Sequence, residues 1–106
     1  MTYIQVNIGR NVGTTPMSDT DWDTFADEVA FAIYHSANRR EAFSTIDNIE
    51  LHNGTGVYDG ISEDSRHISS FWEDGFDLDQ LRTMLRDTRV VYGQDAIALI
   101  VGSELI

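Results

Sequence analysis

Three arginines near the C-terminal end of the chain recur at helical spacing and form the one basic row of an acidic sequence. Arg82, Arg86 and Arg89 lie within a predicted helix. At about 100° per residue they cluster beside one edge of its apolar face. Guanidinium groups bind phosphate and carboxylate through charge-assisted hydrogen bonds. The row therefore predicts an anion or nucleotide site, completed by Arg39, Arg40 or a partner subunit.

The alternative interpretation of the row is structural. Arginine stems can lie over a hydrophobic core while their charged heads stay in water. Acids at neighbouring helical positions, such as Asp79 and Asp87, would then pair with the heads. Both interpretations remain open at the level of sequence.

A second candidate anion site is the loop of residues 10–15, which joins the first predicted strand to the first predicted helix. It contains Arg10, Asn11, Thr14 and Thr15 around Gly13. Unpaired backbone amides before a helix point outward and suit an anion. However, the spacing lacks the lysine and second glycine of a P-loop, and the helix begins with three aspartates. The alternative is an irregular loop followed by a capped helix.

The first predicted helix carries features of a protein interface. Phe31 and Tyr34 lie away from the apolar face, and an exposed aromatic side chain is often an interface anchor. Asp27 and Glu28 are too far from the helix N-terminus to be explained by its dipole. We therefore predict an interface at Asp27, Glu28, Phe31 and Tyr34.

No pattern in the sequence indicates catalysis or metal binding. There is no cysteine, and His35, His52 and His67 lack the spacing of a helical metal site. No serine lies in a nucleophile elbow. The acidic pair Glu63-Asp64 falls in a predicted turn, where solvation explains it. We predict no metal, no cofactor and no enzymatic activity.

The charge balance limits the partners that the protein can have. Eighteen acids face seven arginines and no lysine, for a net charge of −11 over 106 residues. A field of this sign repels nucleic acid and anionic membranes. It suits solubility alone, an acidic face that docks on a basic protein surface, or a protein from a high-salt proteome. No apolar run is long enough for a membrane helix, and the N-terminus does not resemble a signal peptide, so we expect a cytoplasmic protein.

The hydrophobic pattern predicts a single α+β domain over residues 1–106. Alternation over residues 3–8 predicts a strand, and Ser18 with Asp21 is typical of a capping box that begins a helix over residues 19–37. A strand is expected to end at His52 before a hairpin turn at Asn53-Gly54, with a second turn at residues 59–60. Another strand is expected over residues 67–72.

The remaining elements are a second helix and a final strand. Asp77 with Gln80 caps the helix, and Gly93 stands where a helix C-terminal glycine belongs. The order β-α-β-β-α-β indicates a ferredoxin-like split β-α-β sandwich with two helices on one antiparallel sheet. Residues 96–101 are apolar at every position, which is typical of a strand covered on both faces. A second copy of the chain would provide the missing cover, so we predict a homodimer.

Three stretches together resemble small accessory proteins of actinobacterial-type phages. They are IGRNVGTTPMSDTDW, GVYDGISEDSR and YGQDAIALIVGSEL. The resemblance implies no catalytic residues, but it implies a role in acting on the host. Proteins of this kind often inhibit host or defence proteins, and some sequester signalling nucleotides. We therefore expect a non-enzymatic inhibitor that binds a host protein through its acidic surface; the alternatives are a nucleotide-binding sponge or a small enzyme.

Overall fold

A computed structural model describes residues 2–37, 49–58, 60–72 and 76–102 of the chain. A long first strand and a short hairpin precede the first helix: β1 (Thr2–Gly9), β2 (Asn11–Val12), β3 (Thr15–Pro16) and α1 (Asp19–Ser36). Two long strands, a helix and a short strand follow: β4 (Ile49–Tyr58), β5 (Ile61–Trp72), α2 (Leu78–Val91) and β6 (Ala98–Gly102).

The main sheet has four strands in the order β4-β5-β1-β6, and every neighbouring pair is antiparallel. β1 therefore lies between β5 and β6, which is the split arrangement predicted from the sequence. The fold class, a ferredoxin-like two-layer α+β sandwich, is confirmed. β2 and β3 form a separate two-stranded sheet.

The core lies between the helices and one face of the sheet. Ile4, Val6 and Ile8 alternate along β1 and are buried, and Phe25 and Leu81 meet them from α1 and α2. Burying one such side chain completely stabilises the fold by about 1.5–3 kcal/mol. The other face of β1 carries half-buried polar residues, so the helices cover only one side of the sheet.

The predicted helix ends are confirmed. The Ser18 side chain accepts a hydrogen bond from the backbone N–H of Asp21, and the Asp77 carboxylate accepts one from the N–H of Gln80. Each satisfies a backbone donor that the first helical turn leaves unpaired. Gly93 has φ +63°, the left-handed conformation expected at the end of α2.

The predicted turn at Asn53-Gly54 is wrong. Both residues lie inside β4, where they pair with Arg66 and Ser65 of β5. The Asn53 side chain also accepts a hydrogen bond from Nε of Arg66 at 3.0 Å. Cross-strand pairing thus outweighs the local turn preference. The hairpin turns instead at the second predicted position, where Gly60 has φ +76°.

The expectation that β6 is covered on both faces is also not met by the described part of the chain. β6 forms one edge of the sheet, and Ile100 and Val101, on opposite faces, are 46% and 43% exposed. The homodimer inferred from this strand stays a prediction. Among the described residues, no helix is long and apolar enough to cross a membrane.

Candidate functional site

The uncovered face of the sheet opens at one end into a cavity of about 570 Å³, here called the sheet-end cavity. Its floor is the end of β1 and the facing parts of β4 and β5, including Gly9, Gly56 and Glu63. The turn between β2 and β3 forms one wall, and the segment between α2 and β6 forms another. The volume falls within the usual range of about 300–1,000 Å³ for small-molecule pockets.

Glu63 lies on the floor of this cavity because Gly9 has no side chain. A Cβ built at Gly9 would lie 2.5 Å from Oε1 of Glu63 and 2.9 Å from its Oε2. The carboxylate therefore rests against the backbone of β1. Its Oε2 accepts a hydrogen bond of 2.9 Å from the backbone N–H of Asn11. One end of the carboxylate is thus fixed by the start of β2.

The strand register places two glycines next to Glu63 on the cavity floor. Gly56 of β4 pairs with Glu63, and Gly9 of β1 pairs with Ser65 of β5. A glycine therefore lies beside Glu63 on each neighbouring strand, and the carboxylate packs against Gly9. A ligand can approach the backbone closely in such a region.

The walls of the cavity are joined by one buried amide. Gln94 is only 8% exposed, and its Nε2 donates to the backbone carbonyl of Asn11 at 3.0 Å. The backbone carbonyl of Gln94 accepts a hydrogen bond of 3.1 Å from Nη1 of Arg89. These contacts hold the segment after α2 against the hairpin of β2 and β3. The cavity shape is therefore fixed by long-range contacts.

The electrostatic character of the sheet-end cavity is acidic. Glu63 and Asp95 line it, and none of its lining residues in the described part of the chain is an arginine or a histidine. Carboxylates in a recess favour a positively charged ligand and repel phosphate. The cavity therefore suits a cationic small molecule rather than a nucleotide phosphate.

The structure divides the predicted loop site. Asn11 and Thr14 line the sheet-end cavity, whereas Thr15 is exposed in β3. Arg10 is directed elsewhere, since its Nε donates to the Met17 carbonyl at 2.8 Å.

Both terminal nitrogens of Arg10 are also engaged, by acids of two different elements. They pair with Asp19 at 2.6 Å and Asp64 at 3.2 Å. The hydrogen bond to Asp19 is the largest cause that raises the pKa of Arg10. All three guanidinium nitrogens are therefore bound to acceptors within the chain and are not available to an anionic ligand.

The three arginines of α2 are brought together, at a different cavity. They line a cleft of about 280 Å³ between α2 and β6, here called the arginine cleft. Arg82 pairs with Asp79 at 3.0 Å, as the structural interpretation of the row expected. Arg39 and Arg40, named as additional ligands of the row, lie outside the described residues.

On α1, the predicted interface residues differ in their surroundings. Phe31 is 57% exposed and stacks on His35, with ring centroids 5.4 Å apart. Asp27 is exposed and Tyr34 is half-buried. Glu28 faces Tyr92: burial first, and then the charge and hydrogen bond of Glu28, raise the pKa of the Tyr92 hydroxyl. Glu28 thus has a role within the chain.

Metal-binding groups do not converge in the described part of the chain. No three histidine, aspartate or glutamate side chains there are arranged to hold a metal ion. His52 and His67 are opposite one another on β4 and β5, and His52 lies 3.2 Å from the Glu50 carboxylate.

Sequence reasoning missed Glu63, because the acidic pair was placed in a turn. Glu63 lies instead in β5, where it faces Gly9 and Gly56. Two isolated glycines in strands can indicate a close approach of another group, but only the register of three strands shows which group approaches.

Comparison with known proteins finds likeness of structure only. No protein-family model matches the chain, and no curated protein matches it. A phage SAM lyase in complex with S-methyl-5′-thioadenosine is similar, with TM-score 0.65 and 16% identity over 95% of this chain and 79% of that chain. A phage SAM lyase in the apo state has TM-score 0.61 and 18% identity over 95% and 78% of the two chains. At these identities the likeness shows a shared fold.

The comparison corrects one expectation and supports another. The prediction of a non-enzymatic protein is contradicted, because the similar solved structures are those of an enzyme. Their phage origin supports the resemblance to phage proteins noted in the sequence.

Proposed function

We propose that this protein binds S-adenosylmethionine in the sheet-end cavity and cleaves it to S-methyl-5′-thioadenosine. The observation that carries the proposal is the acidic recess built around Glu63, with Asp95 on its wall. S-Adenosylmethionine has a permanent positive charge at its sulfonium sulfur, which a carboxylate attracts. The shared fold with a phage SAM lyase, one structure of which holds S-methyl-5′-thioadenosine, is the second support.

The attraction between Glu63 and a sulfonium is large enough to decide which ligands bind. Two unit charges about 4 Å apart attract by about 4 kcal/mol at the effective dielectric constant near a protein surface. The product, S-methyl-5′-thioadenosine, is a neutral thioether and gains nothing from this term. Glu63 therefore distinguishes substrate from product, and product release follows from the loss of charge.

The proposed reaction breaks the bond between the sulfonium sulfur and the carbon that carries the amino-acid portion. The bonding electron pair passes to sulfur, which becomes neutral. The four-carbon fragment compensates by closing on its own carboxylate to a lactone, or by losing a proton from the adjacent carbon to a carboxylate that acts as base. Neither route needs water, an oxidant or a metal. The chain's contribution is to bind and orient the substrate, since ordered geometry lowers the barrier of an intramolecular step.

A paired titration of Glu63→Gln tests the assignment of the site. Glutamine keeps an oxygen that can accept the hydrogen bond from Asn11 but removes the charge. We expect affinity for S-adenosylmethionine to fall at least tenfold, for the loss of about 1.4 kcal/mol or more, and affinity for S-methyl-5′-thioadenosine to stay unchanged. Isothermal titration calorimetry measures both.

Glu50→Gln is the matched control for this titration. It removes an exposed carboxylate on the same sheet that is not part of the cavity lining. The assignment of the site would be contradicted if Glu63→Gln lost the same affinity for both ligands. It would also be contradicted if Glu50→Gln lost as much affinity for S-adenosylmethionine as Glu63→Gln does.

Removal of a host metabolite by such an enzyme agrees with the accessory phage role inferred from the sequence. The exposed surface of α1 supports a further interaction, with a second copy of the chain or with a basic host protein. Its supporting observation is the 57% exposure of Phe31, one turn after the exposed carboxylate of Asp27. Co-purification that is lost in high salt would indicate the basic partner, because salt screens charge attraction between surfaces.

A further inference from the structure

The arginine cleft has a chemistry opposite to that of the sheet-end cavity. Arg82, Arg86 and Arg89 line one side of it, above apolar side chains that include Leu85 of α2 and Leu99 of β6. In a chain with a net charge of −11, three arginines grouped in one cleft beside a single lining acid, Asp95, are a local concentration of positive charge. It therefore requires a separate explanation.

The guanidinium groups in the cleft differ in how far they are already engaged. Arg86 has no hydrogen bond or ion pair with any residue that the structure describes. Arg82 has one ion pair, and its partner Asp79 is almost fully exposed, so that pair is weak. Nη1 of Arg89 donates to the carbonyls of Gln94 and Asp95, which fixes this group at the side of the cleft.

The contrast with the other described arginines is marked. Arg10 and Arg66 each use all three guanidinium nitrogens on acceptors within the chain. Arg66 also lies over the Trp22 ring, 4.6 Å from its centroid. Those two arginines connect elements of the fold, whereas the cleft retains free donors beside an apolar surface. Free guanidinium donors grouped in a recess are typical of an oxyanion site.

We propose that the arginine cleft binds the phosphate group of a small ligand, with Arg86 as the principal contact. The cleft volume of about 280 Å³ accommodates a phosphate and part of the group that carries it. Leu85 and Leu99 provide an apolar surface for that group. The site is independent of the proposed lyase function, because it takes an anion and lies in a different cavity. Asp95 borders both cavities and limits the charge that the cleft can accept.

The test uses inorganic phosphate and AMP as probes, at constant ionic strength, with the full chain. Arginine Nε–H resonances report the contact directly in nuclear magnetic resonance titrations. We expect saturable shifts at Arg86 with both probes and a roughly tenfold to hundredfold loss of affinity in Arg86→Gln, the size of one charge-assisted contact. Arg86→Lys should retain part of the affinity, because it keeps the charge but not the planar fork.

Glu63→Gln serves as the control, because it alters the other cavity. It should leave phosphate affinity unchanged, whereas Arg86→Gln should leave binding of S-adenosylmethionine unchanged. AMP that binds more tightly than phosphate would identify a nucleotide, and equal affinity would identify the free anion; both outcomes support the site. Shifts that do not saturate, or equal affinity in wild type and Arg86→Gln, would overturn the proposal without affecting the lyase assignment.

Discussion

The substitution Gly9→Ala perturbs the proposed site through a single added carbon atom. The new Cβ would lie 2.5 Å from Oε1 of Glu63, whereas ordinary contact begins near 3.4 Å. The carboxylate must therefore retreat by about 0.9 Å. It is the end of a flexible side chain, so the side chain moves and the strand does not.

The effect on stability is limited by two opposing terms. The variant loses the hydrogen bond from the Asn11 N–H to the Glu63 carboxylate. A hydrogen bond to a charged group contributes about 1.5–3 kcal/mol to stability. Replacing glycine by alanine lowers the entropy of the unfolded chain and restores about 0.4–1 kcal/mol. We expect the free energy of unfolding to fall by about 0.5–2.6 kcal/mol. Urea unfolding measures this change.

The effect on binding follows from the displaced charge. Moving a carboxylate from about 4 Å to about 4.9 Å from a sulfonium reduces their attraction by about 0.8 kcal/mol at an effective dielectric constant of 20, or about fourfold in affinity. S-Methyl-5′-thioadenosine, which is neutral, should lose less. Calorimetric titration with the two ligands measures how much affinity the variant loses for each.

Gly56→Ala is the matched control, because Gly56 lines the same cavity and an added Cβ there meets no atom within 4 Å. It should affect neither Glu63 nor the preference for the charged ligand. The double variant Gly9→Ala with Glu63→Gln should be no weaker toward S-adenosylmethionine than Glu63→Gln alone. The reasoning would be refuted if Gly9→Ala lost the same affinity for both ligands. It would also be refuted if the losses of affinity for S-adenosylmethionine in the two single variants added fully in the double variant.

Three further predictions concern the pH dependence of stability, the association of two chains and the segment after α2. Folding raises the pKa of Tyr92, mainly by burial of its hydroxyl. The resulting stability is present below the ordinary pKa of 10.0 and is lost as the pH rises through the raised pKa. Urea unfolding on both sides of pH 10.0 should show the free energy of unfolding decline with pH, and Glu28→Gln should make this decline smaller. If α1 mediates dimerisation, Phe31→Asp should convert a dimer to a monomer in sedimentation equilibrium, whereas a wild-type monomer at all concentrations would remove the prediction. Gln94→Ala removes the amide that joins the cavity walls, so it should lower the free energy of unfolding by about 1–3 kcal/mol and weaken both adenosine ligands; an unchanged thermal transition would contradict that role.

Local sequence patterns predicted the elements whose causes are local. The capping side chains of Ser18 and Asp77 act within one helical turn, and the alternation along β1 follows directly from the pleat of a strand. The order of these elements was then sufficient for the ferredoxin-like fold. The turn at Asn53-Gly54 was predicted wrongly, since pairing with a distant part of β5 decides the conformation there.

The candidate site was less accessible to sequence reasoning for the same reason. Helical periodicity brought the three arginines of α2 together correctly, because they share one element. Glu63 acquires its position only when β1, β4 and β5 are in register, and Gly9 is far from it in the sequence. Arg10 was assigned to an anion, although three acceptors from separate segments engage it.

Incubation of the purified protein with S-adenosylmethionine tests the central claim most directly. Chromatography of the mixture, beside a sample without protein to correct for spontaneous breakdown, measures S-methyl-5′-thioadenosine over time. The account predicts many equivalents of this product per chain, at a rate proportional to protein concentration and reduced in Glu63→Gln under subsaturating substrate. S-Adenosylmethionine that disappears no faster than in the protein-free sample would contradict it.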